Sequence, residues 1–149
     1  RQMCIRDSEN TGKHISPELA EEICRLVDNH SSYVQQLSWL LWIRTINTAT
    51  TEQLSYALED LLDQNNILFQ SETENLSAYQ MNFLKAIVDG IHTKFSSKEV
   101  ISKYNLGTSA NIVRLKNALL QKELIETNGK EIVLADPVFG VWFKKEMLY

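Results

Sequence analysis

The sequence predicts a mainly α-helical fold in which a small helical bundle is followed by a winged helix-turn-helix, with a two-stranded β-hairpin wing and a C-terminal helix. Two helical patterns flank the turn residues Asn105-Leu106-Gly107, where glycine permits a sharp reversal of the chain. The apolar spacing changes from helical to alternating after Lys122. Asn128-Gly129 then stands between two alternating segments as a favoured two-residue hairpin turn.

Capping residues delimit the helix-turn-helix. Ser96 and Glu99 fit the S-x-x-E capping box, which predicts a short helix that begins after Ser96 and ends at about Tyr104. Thr108 or Ser109 can cap the next helix, which occupies the recognition position. Its buried face is expected to consist of apolar residues at helical spacing, namely Ile112, Leu115 and Leu119.

Three helices are predicted in the preceding bundle. Ser16-Pro17 starts the first, because proline is tolerated in the first turn of a helix. The second, over about 33–46, is apolar on most of its circumference and should be the central helix, with Trp39 or Trp42 in the core. The third follows the break at 47–50, and its inward-facing residues are expected to be Leu54, Leu58, Leu61 and Leu62.

Charge and composition divide the chain into modules. Residues 1–76 carry 5 basic and 12 acidic side chains, whereas residues 77–149 carry 10 basic and 7 acidic ones. Such asymmetry favours two modules with different surfaces and places any polyanion contact on the second. We therefore expect a helical module at 9–70, a polar linker at 71–76 and a winged-helix domain at 77–149.

The opening residues RQMCIRDS are expected to be a non-native leader, because they resemble a translated sequencing-adapter fragment. The interpretation applies to residues 1–8. If they are foreign, the natural protein is expected to extend upstream of residue 9. No segment approaches the roughly 20 apolar residues that span a bilayer. We expect no membrane contact and a cytoplasmic location.

Catalytic and metal-binding patterns are not found in the sequence. A phosphate loop around Gly12-Lys13 would need glycine at position 7 and a hydroxyl at position 14, where Asp7 and His14 stand. The three histidines are too scattered for a metal site, and the two cysteines lack metal-ligand spacing. We therefore predict no catalytic residue and no metal ligand in this chain.

Four segments resemble, in order and spacing, the C-terminal half of a group of prokaryotic AAA+/STAND-type P-loop ATPases. They are Ile15-Ser16-Pro17-Glu18, VDNHSSYVQQLSWLLW at 27–42, SANIVRLKNALLQKELIE at 109–126, and Asp136-Pro137-Val138-Phe139 with Trp142. The resemblance covers nearly all of residues 9–147. It implies that residues 9–70 form the helical lid of an ATPase whose P-loop domain lies upstream in the same chain. ATP and magnesium would then be cofactors of the full-length parent, and the fragment itself would not hydrolyse ATP.

The same resemblance suggests a nucleotide contact in the lid. The family's segment of the type H-P-Y-Y-V-Q-Q matches here at His30, Tyr33, Val34, Gln35 and Gln36, and departs from it at 31 and 32, where serines stand. His30 and Tyr33 are therefore candidate nucleotide-binding residues. The alternative is that both simply pack at a helix N-terminus within their own module.

Five residues of the second module are chemically suited to phosphates and base edges. They lie on the recognition helix and the wing, and are Ser109, Asn111, Arg114, Lys116 and Lys130. We expect them to contact double-stranded DNA. The alternative is an ordinary solvated face or a surface that docks on protein. Two alternative functions are therefore a freestanding winged-helix transcription regulator and a winged-helix protein-interaction module.

Overall fold

The computed structural model describes residues 11–148, so the predicted leader at 1–8 lies outside the described part. The chain forms two compact units that divide between Ile67 and Leu68. We call residues 11–67 the bundle unit and residues 68–148 the winged-helix unit. The described residues form seven helices and one two-stranded sheet, which confirms the predicted mainly α fold with a hairpin and a C-terminal helix.

The bundle unit contains helices α1 (Pro17–Leu26) and α2 (Ser31–Arg44) and most of α3 (Thr51–Glu74). Ser16 caps α1 as predicted, since its Oγ accepts a hydrogen bond from the Leu19 amide at 3.1 Å. Thr50 and Gln53 form a reciprocal capping box at the start of α3. The core is made of apolar side chains from all three helices, including Ile23, Val27, Leu37, Leu41, Leu54, Ala57 and Leu61.

Helix α2 is not buried all round, so the prediction of a central helix was wrong for part of its surface. Leu37, Leu40 and Leu41 are its buried residues, while Trp39 is 63% exposed and Ile43 is 56% exposed. Trp42 is half-buried. The reason is geometric, because the two neighbouring helices of a small bundle cover one face of α2 and leave its opposite face to solvent. Sequence hydrophobicity alone does not distinguish these two faces.

The segment expected as a linker at 71–76 is helical as far as Glu74, because α3 continues through it. Phe69 and Thr73 are buried, and the Thr73 hydroxyl donates to the Phe69 and Gln70 carbonyl oxygens at 3.1 and 2.9 Å. Burial of this helix end within the winged-helix unit keeps it ordered. The division between the units consequently falls earlier than the sequence predicted.

The winged-helix unit continues with α4 (Ala78–Val88), α5 (Lys98–Tyr104) and α6 (Ser109–Gln121), then strands β1 (Ile125–Asn128) and β2 (Glu131–Leu134), and ends with α7 (Pro137–Leu148). Ser77 and Gln80 form a capping box at the start of α4. For α5 the cap is Ser97 rather than Ser96, since Ser97 Oγ accepts from the Val100 amide at 3.3 Å. The predicted start of α5 was therefore one residue early.

The wing is an antiparallel hairpin in which Asn128 pairs with Glu131. Its two turn residues are therefore Gly129 and Lys130, one position later than predicted. Gly129 has a φ of +61° whereas Lys130 is not among the residues with positive φ, a combination that fits a type II′ turn. The Ile132 amide donates to the His92 carbonyl oxygen at 2.9 Å, so the segment between α4 and α5 is hydrogen-bonded to β2.

Aromatic side chains form much of the winged-helix core. Phe83 and Phe95 stack with ring centroids 4.5 Å apart. Phe69 at the end of α3 lies 5.4 Å from Phe139 and 5.5 Å from Trp142, both on α7. Asp136 caps α7, because its Oδ1 accepts from the amides of residues 138 and 139 at 2.8 and 3.0 Å. The D-P-x-F-x-x-W sequence is thus a capping and packing motif.

None of the helices within residues 11–148 combines the length and apolar character needed to cross a membrane.

Candidate nucleic-acid interface

The turn between α5 and α6 has left-handed backbone at Gly107, where the sequence predicted the reversal, and also at Asn105. Asn105 has a φ of +50° and Gly107 a φ of +85°, while the side chain of Leu106 is fully buried between them. The Asn111 side-chain amide donates to the Leu106 carbonyl oxygen at 3.1 Å. Asn111 therefore helps to hold the turn closed, and one N–H of its side-chain amide is used within the turn.

Helix α6 has one buried and one exposed face. Ile112, Leu115 and Leu119 are buried, as predicted. Successive residues of an α-helix are turned by about 100°, so the opposite face is centred on positions 110, 114, 117 and 121. The side chains at these positions and at Val113 are exposed: Ala110, Val113, Arg114, Asn117 and Gln121. We call this set the outward face of α6.

Arg114 and Lys116 do not lie on the same face. They are two positions apart and therefore about 160° apart around the helix. Arg114 is exposed on the outward face and makes no ion pair with the described residues, whereas Lys116 is half-buried on a flank. Ser109 is exposed at the first turn of α6. By the same rotation Ser109 is about 140° from Arg114 and only about 20° from Lys116, so the structure places Ser109 on the flank that carries Lys116 and separates both from Arg114.

Lys130 lies at the tip of the wing, where it is exposed. Exposed carboxylates are close to it in the chain, since Glu131 follows directly and Glu126 lies on the paired strand. The cationic character of the wing tip is therefore partly offset.

The winged-helix unit has a smaller net positive charge than the module at 77–149 that was predicted from the sequence. Residues 68–148 carry 10 basic and 9 acidic side chains, a formal net charge of +1. The difference arises because Glu72 and Glu74, assigned from sequence to the linker and the module before it, belong to the winged-helix unit. A duplex contact on this unit must therefore rely on where its cations lie, because its total charge gives little attraction.

A small cleft of about 280 Å³ adjoins the N-terminal half of α6. It is lined by Tyr79, Gly107, Thr108, Ala110, Asn111 and Arg114. Tyr79 comes from α4 and is 45% exposed. Its position beside the turn could not be predicted from local sequence patterns, because it depends on how α4 packs against residues about thirty positions later in the chain.

The candidate lid residues His30 and Tyr33 do come together, with ring centroids 5.0 Å apart. His30 is the N-cap of α2 without a side-chain capping bond. Beside them, an open groove of about 1260 Å³ runs between α1 and α2, with Cys24, Gln35, Trp39 and Trp42 among its lining residues. Neither His30 nor Tyr33 is among the described residues that line this groove.

The Gly12-Lys13 segment has a structural role in the bundle. Lys13 Nζ donates to the Trp42 carbonyl oxygen at 2.9 Å and lies 4.6 Å from the centroid of the Trp42 ring. The adjacent His14 amide donates to the Asn47 carbonyl oxygen at 2.7 Å. These bonds fasten the chain before α1 to the C-terminal end of α2, where a cation interacts favourably with the helix dipole.

Comparison with known families identifies the family of the second unit. A family model described as a probable winged helix domain matches residues 67–145, which is more than half of the chain. The match begins at the division between the two units and extends into α7, so it includes the end of α3 that carries Phe69. Neither a search of curated proteins nor a search of solved structures returns a match.

Proposed function

The chain belongs to the family of probable winged helix domains, and on that premise we propose that its second unit binds double-stranded DNA through the outward face of α6. The single observation that carries this proposal is the exposure of that face. Arg114, Asn117 and Gln121 present a guanidinium and two amides, which are groups that contact phosphates and base edges.

The dimensions of α6 support the proposal. A helix of 13 residues is about 20 Å long, and the B-form major groove, about 12 Å wide, admits an α-helix. Ser109 lies at the N-terminal end of α6, from which recognition helices commonly reach the bases. Lys130 at the wing tip is suited to one backbone phosphate. We assign the helix contact to Arg114 and none to Lys116 or to the Asn111 amide.

For the bundle unit we propose the role of a helical lid in an AAA+/STAND-type P-loop ATPase, on the basis of the sequence resemblance. An exposed apolar stripe on α2 and the residues after it supports this role. It consists of Trp39, Ile43 and Ile46, the last of which is 81% exposed. A stripe of this kind usually marks an interaction surface. An upstream domain of the same chain would cover it.

ATP binding itself is assigned to that upstream domain. The Gly12-Lys13 segment does not fit the phosphates of a nucleotide, because Lys13 is engaged with the Trp42 carbonyl oxygen and no glycine-rich loop precedes a helix there. His30 and Tyr33 stay candidates for a contact to the base only. Under this proposal the protein acts in the cytoplasm and the winged helix is the regulatory end of the ATPase.

A second candidate function is protein docking by the same face of α6. Val113 is 61% exposed and Tyr79 is 45% exposed, and both flank Arg114. Aromatic residues and arginine are enriched at protein interfaces. The low net charge of the unit also suits a protein partner better than a purely electrostatic contact with a duplex.

A salt titration of duplex binding tests the DNA proposal. Each lost phosphate contact lowers the slope of log affinity against log salt by about 0.9. We expect Arg114→Ala to weaken binding and lower the slope by this amount, while Lys116→Ala, a matched loss of one charge on the flank of α6, leaves the slope unchanged. Absence of wild-type binding at low salt would leave protein docking as the better account, and equal slopes for all three proteins would exclude Arg114 as a contact.

A further inference from the structure

The cleft beside the turn holds side-chain donors from two different helices. Tyr79 of α4 and Arg114 of α6 line the same space, together with the α6 N-cap Thr108. Within residues 11–148, neither the Tyr79 hydroxyl nor the Arg114 guanidinium has a hydrogen bond or ion pair, and the Thr108 hydroxyl makes no capping bond. Three donor groups are therefore free at one site.

The position of Tyr79 is set by the turn. A Cβ atom added to Gly107 would lie 3.5 Å from Cε1 and 3.7 Å from Cζ of Tyr79, so the hydroxyl-bearing end of the ring lies over this glycine. Asn82, one turn further along α4, donates from its side-chain amide to the Asn105 carbonyl oxygen at 3.4 Å. These contacts hold the exposed face of α4 against the turn and direct Tyr79 toward the start of α6.

We propose that this cleft is a clamp for one phosphodiester group of the DNA backbone, in which Tyr79 and Arg114 hold the same phosphate. The inference rests on the proposed DNA-binding function and extends it to a residue of α4. A phosphate presents several acceptor oxygens, so it can accept from the Tyr79 hydroxyl, the Thr108 hydroxyl and the Arg114 guanidinium at once. Neutral hydroxyl donors beside one guanidinium are typical of contacts that fix register on the duplex.

The clamp also explains the choice of glycine at position 107. Its φ of +85° is unfavourable for other residues, and a side chain there would press against Tyr79 and the Asn111 amide, the latter at 3.3 Å. Asn111 donates from its side-chain amide to close the turn and also lines the cleft, and the clamp assigns it no phosphate contact. The site is thus formed by the turn and depends on both helices.

Tyr79→Phe tests the clamp, because this variant keeps the ring over Gly107 and removes the hydroxyl alone. With the full chain and a duplex at low salt, we expect Tyr79→Phe to weaken binding about tenfold, the effect of losing one hydrogen bond to a charged group. Its salt slope should equal that of the wild type, because tyrosine is neutral. Lys144→Ala, which removes an exposed cation on α7, serves as the control for charge loss elsewhere and should leave the affinity nearly unchanged.

The double variant Tyr79→Phe/Arg114→Ala identifies whether one phosphate is shared. If both residues hold it, the combined loss of affinity is smaller than the product of the two single losses. Wild-type affinity for Tyr79→Phe, or independent losses in the double variant, would overturn the clamp even where Arg114→Ala still lowers the salt slope and the DNA proposal stands. A wild-type chain that binds no duplex would overturn both.

Discussion

At the scale of single residues, the Glu72 carboxyl group lies where its charged form is disfavoured. It is half-buried near the end of α3, and burial raises its pKa, with the negative charge of Asp136 adding to the effect. The folded state therefore binds the Glu72 proton more tightly than the unfolded chain does. The resulting stabilisation is complete below the ordinary pKa of a glutamate and is lost as the pH rises through the raised value.

We predict that Glu72→Gln raises the melting temperature at pH 7, because glutamine resembles the protonated side chain. The gain should shrink as the pH is lowered toward the ordinary range of a glutamate pKa. Thermal unfolding followed by circular dichroism over a pH series measures both effects. Glu74→Gln, an exposed carboxyl two positions along the same helix, is the control, and an equal gain from that variant would show that the cause is net charge.

His92 joins the wing to the rest of the second unit. Its Nδ1 lies 3.0 Å from the Ile132 carbonyl oxygen and, since a carbonyl oxygen can only accept, the ring nitrogen donates. The His92 carbonyl oxygen in turn accepts from the Ile132 amide at 2.9 Å. Two bonds to one residue of β2 thus fasten the wing to the segment between α4 and α5.

We predict that His92→Ala destabilises the protein by about 1 kcal/mol, the usual net contribution of one hydrogen bond. His92→Asn should recover most of this loss, because its side-chain amide can donate from a similar position. Urea unfolding gives the free energies, and hydrogen exchange at the β2 amides reports on the wing. Equal destabilisation by both variants would show that ring packing, and not the donor, is what matters.

At the scale of secondary structure, the C-terminal end of α3 belongs by packing to the winged helix. Phe69 is 1% exposed and contacts the aromatic rings of Phe139 and Trp142. Its neighbour Leu68 is 55% exposed. The two residues are adjacent and of similar hydrophobicity, so they form a matched pair that differs mainly in burial.

We predict that Phe69→Ala lowers the free energy of unfolding by about 3–5 kcal/mol, the range for truncating a buried phenylalanine. Leu68→Ala should cost less than about 1 kcal/mol, because its side chain is mostly in solvent already. Chemical denaturation of both variants measures the difference. Comparable losses would contradict the assignment of Phe69 to the core of the second unit.

At the scale of the whole molecule, the division between the units determines which fragment can fold alone. The family match and the compact unit both begin at about residue 67, ahead of the position at which the sequence suggested that the domain starts. A fragment that begins at Ser77 lacks Phe69 and Thr73 and leaves the Phe139 and Trp142 rings without a partner from α3.

We predict that the fragment 67–149 unfolds cooperatively, whereas the fragment 77–149 is less stable by at least the roughly 3 kcal/mol expected for Phe69 alone. Tryptophan fluorescence during urea unfolding follows Trp142, the only tryptophan of either fragment. Similar unfolding midpoints for both fragments would show that the end of α3 is dispensable.

The parts of this protein that the sequence determined by itself are those set by contacts of a few residues. The helix start at Ser16, the turn at Gly107 and the buried face of α6 were all predicted, because each depends on neighbours within about one helical turn. Even where a signal was displaced by one residue, as at the start of α5 and in the wing turn, the element itself was correctly identified.

Tertiary structure decided which surfaces are buried and which residues meet. Trp39 is exposed because the neighbouring helices leave one face of α2 uncovered, and α3 continues past 71 because Phe69 is buried against α7. Tyr79 lines the cleft, and the Asn111 amide is bonded to the Leu106 carbonyl oxygen, through packing of α4 and α6 around one turn. Such facts depend on contacts between residues far apart in the chain, about which periodicity and local propensity contain no information.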